Sequence, residues 1–329
     1  MVEIDELPPA ELTLARATWA DADEMAAVIR AAFGARPALD PPAPALSETP
    51  ASVRELLERG GAVVARWGAE MAGVIVLSRS DRTAVLQRVS VHPRFQRHGI
   101  ASAMVAVVEP YAVELGCVRV ELVARAVFPE LIQFWQHLGF AVAPPRSGGV
   151  PDYLVTLTKE LPVVLMADTA EQMKALGARL AGLLRAGDLV IAHGDLGAGK
   201  TTFTQGLAQA LEVEGPVISP TFVLSRVHPA RTGQPALVHV DAYRLGGPAE
   251  LDDLGLELDQ SVTVVEWGVG IAEQLSEDRL LVSIHRAQAE PAELAERDFG
   301  EPADDPRTVM IIGTGDRWDR AEIARVMHG

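Results

Sequence analysis

Gly194-Asp195-Leu196-Gly197-Ala198-Gly199-Lys200-Thr201 decides the reading of the second half of this chain. The pattern is Gly, four residues, then Gly-Lys-Thr. It follows the apolar stretch 188–193, which reads as a strand, and it opens a helix expected over 200–211. Glycines let the backbone wrap close to a phosphate, and the N–H groups of the loop and helix start then face the anion. Gly194, Asp195, Leu196, Gly197, Ala198, Gly199, Lys200, Thr201 and Thr202 are therefore the expected ATP-binding residues. Lys200 would reach the β- and γ-phosphates, and the Thr201 hydroxyl would meet Mg²⁺.

Outward from the loop, the second half alternates strand and helix. A strand at 163–166 leads into a helix capped by Asp168 or Thr169 and running to about 185. Strands follow the loop helix at 236–241, 261–266, 279–285 and 308–313. Such alternation predicts an α/β unit with a mostly parallel sheet and helices on both faces. Two strands end in acids, Asp241 and Glu266, at the edge where ligands of parallel sheets bind. Glu266 can touch Mg²⁺ or orient water, which makes Lys200, Asp241 and Glu266 the candidate catalytic residues. Residues 287–306, rich in Ala, Glu, Asp and Pro, read as a flexible insertion.

The first half reads as mixed α/β, with strands expected at 12–16, 61–67, 71–79, 83–91, 118–124, 139–142 and 153–158. A helix capped by Asp21 or Asp23 carries Met25, Val28, Ile29 and Phe33, and others cover 99–115 and 129–138. The proline-rich 34–48 reads as a loop and 143–152 as a turn. The boundary falls near 161, giving domains 1–161 and 162–329. Cys117, the single cysteine, excludes an internal disulfide, fits a cytoplasmic location and reads as packing.

The formal net charge is −16. Residues 1–161 hold 15 basic and 19 acidic side chains, and residues 162–329 hold 14 and 26. The resulting field repels phosphate backbones, so contact with nucleic acid is expected only through a partner. No apolar run is long enough to span a membrane. The acidic start at residues 1–6 is unlike a basic presequence.

The loop at 194–202, Ser219-Pro220-Thr221-Phe222, His239-Val-Asp241-Ala-Tyr243-Arg244-Leu245 and Val265-Glu266-Trp267 together resemble the TsaE (YjeE) family over about 162–286, with Gly313–Trp318 resembling its tail. The resemblance implies a Mg²⁺-dependent ATPase that supports tRNA threonylcarbamoyladenosine formation beside a TsaB–TsaD pair. It implies a switch loop at Ser219, Pro220 and Thr221, metal contacts from Thr201 and Glu266, a catalytic role for Asp241, an adenine-facing helix start at 168–172, and Trp267 near the nucleotide or in the core. A small-molecule kinase is the alternative, with Arg226, Arg231 and Arg244 as candidate lid arginines.

In the first half, Gln96-Arg97-His98-Gly99-Ile100-Ala101 follows a strand and opens a helix. With 86–93 before it and Pro129–Phe140 after it, this stretch resembles the GNAT acetyltransferase family over about 12–159. The resemblance implies a mixed sheet with flanking helices. Acetyl-CoA pyrophosphate would lie on Gln96, Arg97, His98, Gly99, Ile100 and Ala101, with the pantetheine arm along Val89–Val91. Many GNAT proteins place a tyrosine acid where this chain has Trp135, whose indole cannot serve as an acid. Glu121 is a candidate base or an ordinary strand residue, and His92 and His98 read as structural or exposed. A catalytically silent module that binds CoA or a partner is the alternative for this half.

Overall fold

The computed structural model describes residues 11–144, 151–231, 233–286 and 306–329. Most of the 143–152 turn and all but Pro306 of the expected insertion lie outside the described residues. Contacts divide the chain into two compact units between Leu161 and Pro162.

The first unit runs β1 (Leu12–Arg16), α1 (Ala22–Gly34), α2 (Pro50–Arg59), β2 (Gly60–Trp67), β3 (Glu70–Ser80), β4 (Thr83–Val91), α3 (Ile100–Glu114), β5 (Arg119–Arg125), α4 (Pro129–His137), β6 (Ala141–Val142) and β7 (Leu154–Glu160). Among the described residues its sheet has the order β1-β2-β3-β4-β5-β7-β6, antiparallel except between β4 and β5. Strand β3 is buried on both faces: Val74 and Val76 meet Met25 and Ile29 of α1, while Ile75 and Leu77 share a cluster with Ile100, Met104 and Val108 of α3. Cys117 is buried in that second cluster, and burial pushes its thiol pKa up. Helix α2 has no counterpart in the expectations. Thr49 caps it by accepting a hydrogen bond from Ser52 N, and Pro50 starts it.

The second unit runs β8 (Val163–Ala167), α5 (Ala170–Ala181), β9 (Leu189–His193), α6 (Lys200–Ala210), β10 (Ser225–His228), β11 (Ala236–Asp241), α7 (Pro248–Asp252), β12 (Ser261–Glu266), β13 (Arg279–Arg286), β14 (Arg307–Thr314) and α8 (Arg320–His328). The sheet order is β10-β11-β12-β9-β13-β14-β8. The central pairings β11–β12, β12–β9 and β9–β13 are parallel, as expected, and both margins add antiparallel strands. Helices α5, α6 and α8 cover Val190, Val262 and Val264 on one face. The short α7 and its loops cover Leu189, Ile191 and Val265 on the other. Helix α5 ends at Ala181, four residues short of the expected 185.

Helices α5 and α6 touch backbone to backbone. A Cβ on Gly177 would lie 2.1 Å from Phe203 O, and one on Gly206 would lie 1.9 Å from Lys174 O. This close crossing fixes α6, whose first turn carries Lys200 and Thr201.

Candidate functional site

Strand β9 is central in its sheet, so the loop that leaves it emerges between the ends of β12 and β13. Gly194 has φ of 143°, and a Cβ there would sit 2.2 Å from Ile284 O, so both conformation and space demand glycine. The chain then turns through Gly199 into α6. Lys200 is only 5% exposed. Its Nζ donates to Gly194 O at 2.7 Å and Asp195 O at 3.0 Å. Burial lowers its pKa, with the charges of Glu266, Asp241 and Asp195 opposing that shift.

The parallel register sets Asp241 directly beside Glu266, and both carboxylates are buried. Thr201 Oγ1 donates to Glu266 Oε1 at 2.8 Å, with Oε2 3.1 Å away. Asp241 Oδ2 accepts from Thr221 Oγ1 at 2.6 Å and Ser219 Oγ at 3.1 Å, and its Oδ1 accepts from Tyr243 N at 3.0 Å. The expected switch loop is thus tied to the second acid. Trp267, at a φ of 62°, lays its ring 3.7 Å from Lys200 Nζ and 5.2 Å from the Tyr243 ring. It therefore covers the lysine rather than joining a core cluster. Helix α5 adjoins the loop through Met173, whose Cε would meet a Cβ on Gly199 at 3.4 Å.

This donor set fits Mg²⁺ carried by a nucleotide. A hydroxyl and a carboxylate, both hard oxygen donors, stand in contact with a second carboxylate beside them. Among the described residues, no group of three or more His, Cys, Asp or Glu is arranged to hold a metal unaided. Mg²⁺ commonly takes one or two carboxylates and completes its shell with water and substrate phosphates.

The arginines considered for a kinase lid do not converge here. Arg231 lies 3.9 Å from Glu212, and both line an open cleft of about 610 Å³ with Lys174 and Gln205. None of Lys200, Asp241 and Glu266 lines that cleft. Arg244 lies over the Phe222 ring, 5.0 Å away, and Arg226 sits on β10 opposite His239.

In the first unit, β4 and β5 pair only from Thr83–Leu86 to Arg119–Leu122. Beyond that they part, and Val89 and Val91 border the gap. The β3–β4 register slips between Val74 and Val76, where Arg88 has φ of 52° and its Nε donates to Glu48 Oε1 at 2.6 Å. Gly99, with φ of 73°, caps α3, and a Cβ there would meet nothing within 4 Å. Gly99 is exposed at the N-terminus of α3, beside the exposed Gln96, Arg97 and His98. Gln96 Nε2 donates to Val91 O at 3.3 Å, which ties this loop to β4. Ile100 is buried beneath it and Ala101 half-buried. His92 accepts from Arg94 N, and the His98 ring packs edge-on against Trp67 at 5.4 Å. Trp135 is 2% exposed, wedged between Phe134 and Phe140, which makes it a core residue. Glu121 is half-buried and alternates with the core residues Val120 and Leu122.

Sequence reasoning missed His239 and His228 as site neighbours. Both are buried, and His239 Nε2 lies 2.8 Å from Glu266 Oε1. The available signal was a polar residue two positions from both Leu237 and Asp241, on the same face of a core strand.

Fold and loop define the second unit as a P-loop nucleotide-binding unit. A family model for threonylcarbamoyl adenosine biosynthesis protein TsaE matches residues 167–297. One for the acetyltransferase (GNAT) family matches residues 26–140. The chain is 53% identical over 155 residues to the tRNA threonylcarbamoyladenosine biosynthesis protein TsaE of Streptomyces coelicolor, covering 46% of this chain and 97% of that protein. The protein of the same description in Mycobacterium leprae is 46% identical over 140 residues, 40% of this chain and 87% of its own length. The chain is also similar to the solved ribosomal-protein-S18-alanine N-acetyltransferase of Escherichia coli: 18% identity, TM-score 0.38, 46% of this chain and 94% of that one. The chain belongs to the TsaE family and carries a GNAT-family domain ahead of its P-loop unit.

Proposed function

We propose that residues 162–329 hydrolyse ATP with Mg²⁺ in support of tRNA threonylcarbamoyladenosine biosynthesis, and that residues 1–161 bind acetyl-CoA and transfer its acetyl group. The observation that carries the first reading is the Thr201–Glu266 contact beside Lys200, with Asp241 holding Ser219 and Thr221. Lys200 would leave the loop carbonyls for the β- and γ-phosphates, whose negative charge would offset the burial that lowers its pKa. Thr201 keeps its hydroxyl proton on Glu266, so its lone pairs remain for the metal. Mg²⁺ would neutralise phosphate charge when bound, and Glu266 would orient it or the attacking water. Asp241, which accepts from Ser219 and Thr221, would hold that loop where it could meet the γ-phosphate.

The S. coelicolor and M. leprae relatives named for this biosynthesis support the pathway assignment. A TsaB–TsaD-like pair is the expected partner, and the chain's net charge of −16 fits contact with tRNA through that partner. These roles imply a cytoplasmic location. Among the described residues, no helix is long and apolar enough to cross a membrane.

For the first unit, the parted β4 and β5 offer a slot for the pantetheine arm along Val89–Val91, and the α3 N-terminus offers N–H groups to a pyrophosphate. Trp135 packs in the core and supplies no acid, so proton transfer would fall to another group.

Phosphate release by the full chain, with and without Mg²⁺, tests the ATPase reading. Lys200→Ala is expected to lower turnover on the order of 10²–10³-fold, the scale of losing one transition-state charge contact. Turnover near that of the wild type refutes the site. Capture of TsaB and TsaD with and without ATP tests the partner, and titration with acetyl-CoA tests the first unit.

A further inference from the structure

Two imidazoles are buried behind the acidic strand ends of the second unit. His239 is fully buried on β11, where it shares with Leu237 and Asp241 the face that packs α6. The register places Val264 beside His239 and Glu266 beside Asp241, so His239 and Glu266 share a face on neighbouring strands. His239 Nε2 lies 2.8 Å from Glu266 Oε1. Its Nδ1 is buried with no partner among the described residues, and so is Nε2 of His228 on β10. The two rings stand 6.5 Å apart.

An aliphatic side chain would suit position 239 better on packing grounds. Its surroundings include Leu237, Val262 and Val264, and a buried nitrogen without a partner is unfavourable. The contact that imidazole makes and an aliphatic group cannot is the hydrogen bond to Glu266. That carboxylate is 3% exposed, and it is contacted by the Thr201 hydroxyl and by His239 Nε2. Thr201 donates through a hydroxyl that rotates freely about its C–O bond. The imidazole is a planar donor clamped in the core, so it is the rigid side of the pair. Burial, with His239 and Arg226 adding to it, lowers the His228 pKa.

We infer that His239 is a positioning residue: its Nε2–H holds Glu266 in the orientation that meets Thr201 and thereby sets the affinity of the site for a divalent cation. The inference rests on the ATPase reading above and assigns His239 no contact with nucleotide. Partners of this kind behind a metal-contacting group change metal affinity or activity about 10–100-fold when removed.

The experiment titrates Mg²⁺ against full-length protein with a non-hydrolysable ATP analogue, measures analogue affinity in EDTA, and measures turnover separately. His239→Leu should raise the half-saturating Mg²⁺ about 10–100-fold and lower kcat, while analogue affinity in EDTA stays within about twofold. His239→Gln, whose amide N–H can reach Glu266, should recover most of the loss. His239→Asn, too short to reach, should not, and this pair carries the test if the Leu variant fails to fold. A folded Leu variant with wild-type Mg²⁺ dependence overturns the inference, as do Gln and Asn variants that behave alike. Both results leave the ATPase reading standing. A wild-type protein whose analogue binding ignores Mg²⁺ overturns that reading and this inference with it.

Discussion

Gly206→Ala should loosen the second unit and slow its ATP turnover, although alanine favours helices. Gly206 lies inside α6, where Ala normally gains about 1 kcal/mol over Gly. Here the added Cβ would stand 1.9 Å from Lys174 O and 2.5 Å from Lys174 C and Cα, all backbone atoms of α5. Ordinary contact begins near 3.4 Å, so the helices must part by about 1.5 Å or tilt. Overpacking costs about 1–3 kcal/mol, and a clash between two helix backbones belongs at the top of that range. Set against the helix gain, the net loss is about 2 kcal/mol. For a unit of this size that lowers Tm by roughly 4–8 °C. Lys200 and Thr201 ride on the same helix, and misplacement of about 1 Å can cost about 10²-fold in rate. Differential scanning calorimetry and phosphate release check both effects. Gly34→Ala, at the end of α1 with no atom within 4 Å of its Cβ, is the control and should be neutral or slightly stabilising. An unchanged or raised melting transition in Gly206→Ala refutes the close-crossing argument.

Glu266→Gln should keep nucleotide binding better than hydrolysis, because it removes a charge facing the metal while preserving shape; titration and phosphate release should show unequal losses. Gly99→Val should weaken acetyl-CoA binding at least about tenfold and leave ATP turnover unchanged, since a β-branched residue at a φ of 73° costs about 1–3 kcal/mol in strain and fills the space before the α3 N-terminus. Burial holds the His228 pKa below its ordinary 6.5, so the unfolded chain takes up the proton first as pH falls. Stability of the second unit should therefore decline as pH drops below 6.5, and His228→Leu should flatten that decline in urea titrations across pH.

The elements legible in the sequence were those whose periodicity coincided with burial. Strand β9 and the loop after it are contiguous, so strand, glycines and helix start appear together in one run of residues. Helix α2 carried its own signals, Thr49-Pro50 at the start and Val53 and Leu57 one turn apart, but it follows directly on the proline-rich 34–48 loop and no element was expected at 50–59. Helix α8 was similar: Asp319 accepts from Glu322 N, and Ile323 and Met327 are buried four residues apart. Strand β10 offered no such pattern. It is four residues long, its Val227 is 61% exposed, and it exists as a strand only because β11 pairs with it. Edge pairing of that kind is set by tertiary contact, which local propensity does not encode.

The site divides along the same line. Lys200 and Thr201 were visible because the motif that names them is continuous. Asp241 and Glu266 were visible as acids ending apolar runs. What they do to one another depends on register. Asp241 stands beside Glu266 because β11 and β12 run parallel and in step, and a shift by one residue would turn one carboxylate to the opposite face. His239 is two residues before Asp241, so the register that pairs the acids also delivers the imidazole to Glu266. The sequence places His239 and Asp241 on one face by their spacing, but the distance from 239 to 266 crosses a strand, α7 and a loop. For that reason a motif of the form His-x-Asp reads as one catalytic acid with an incidental neighbour, whereas in the folded sheet the histidine serves the acid on the next strand.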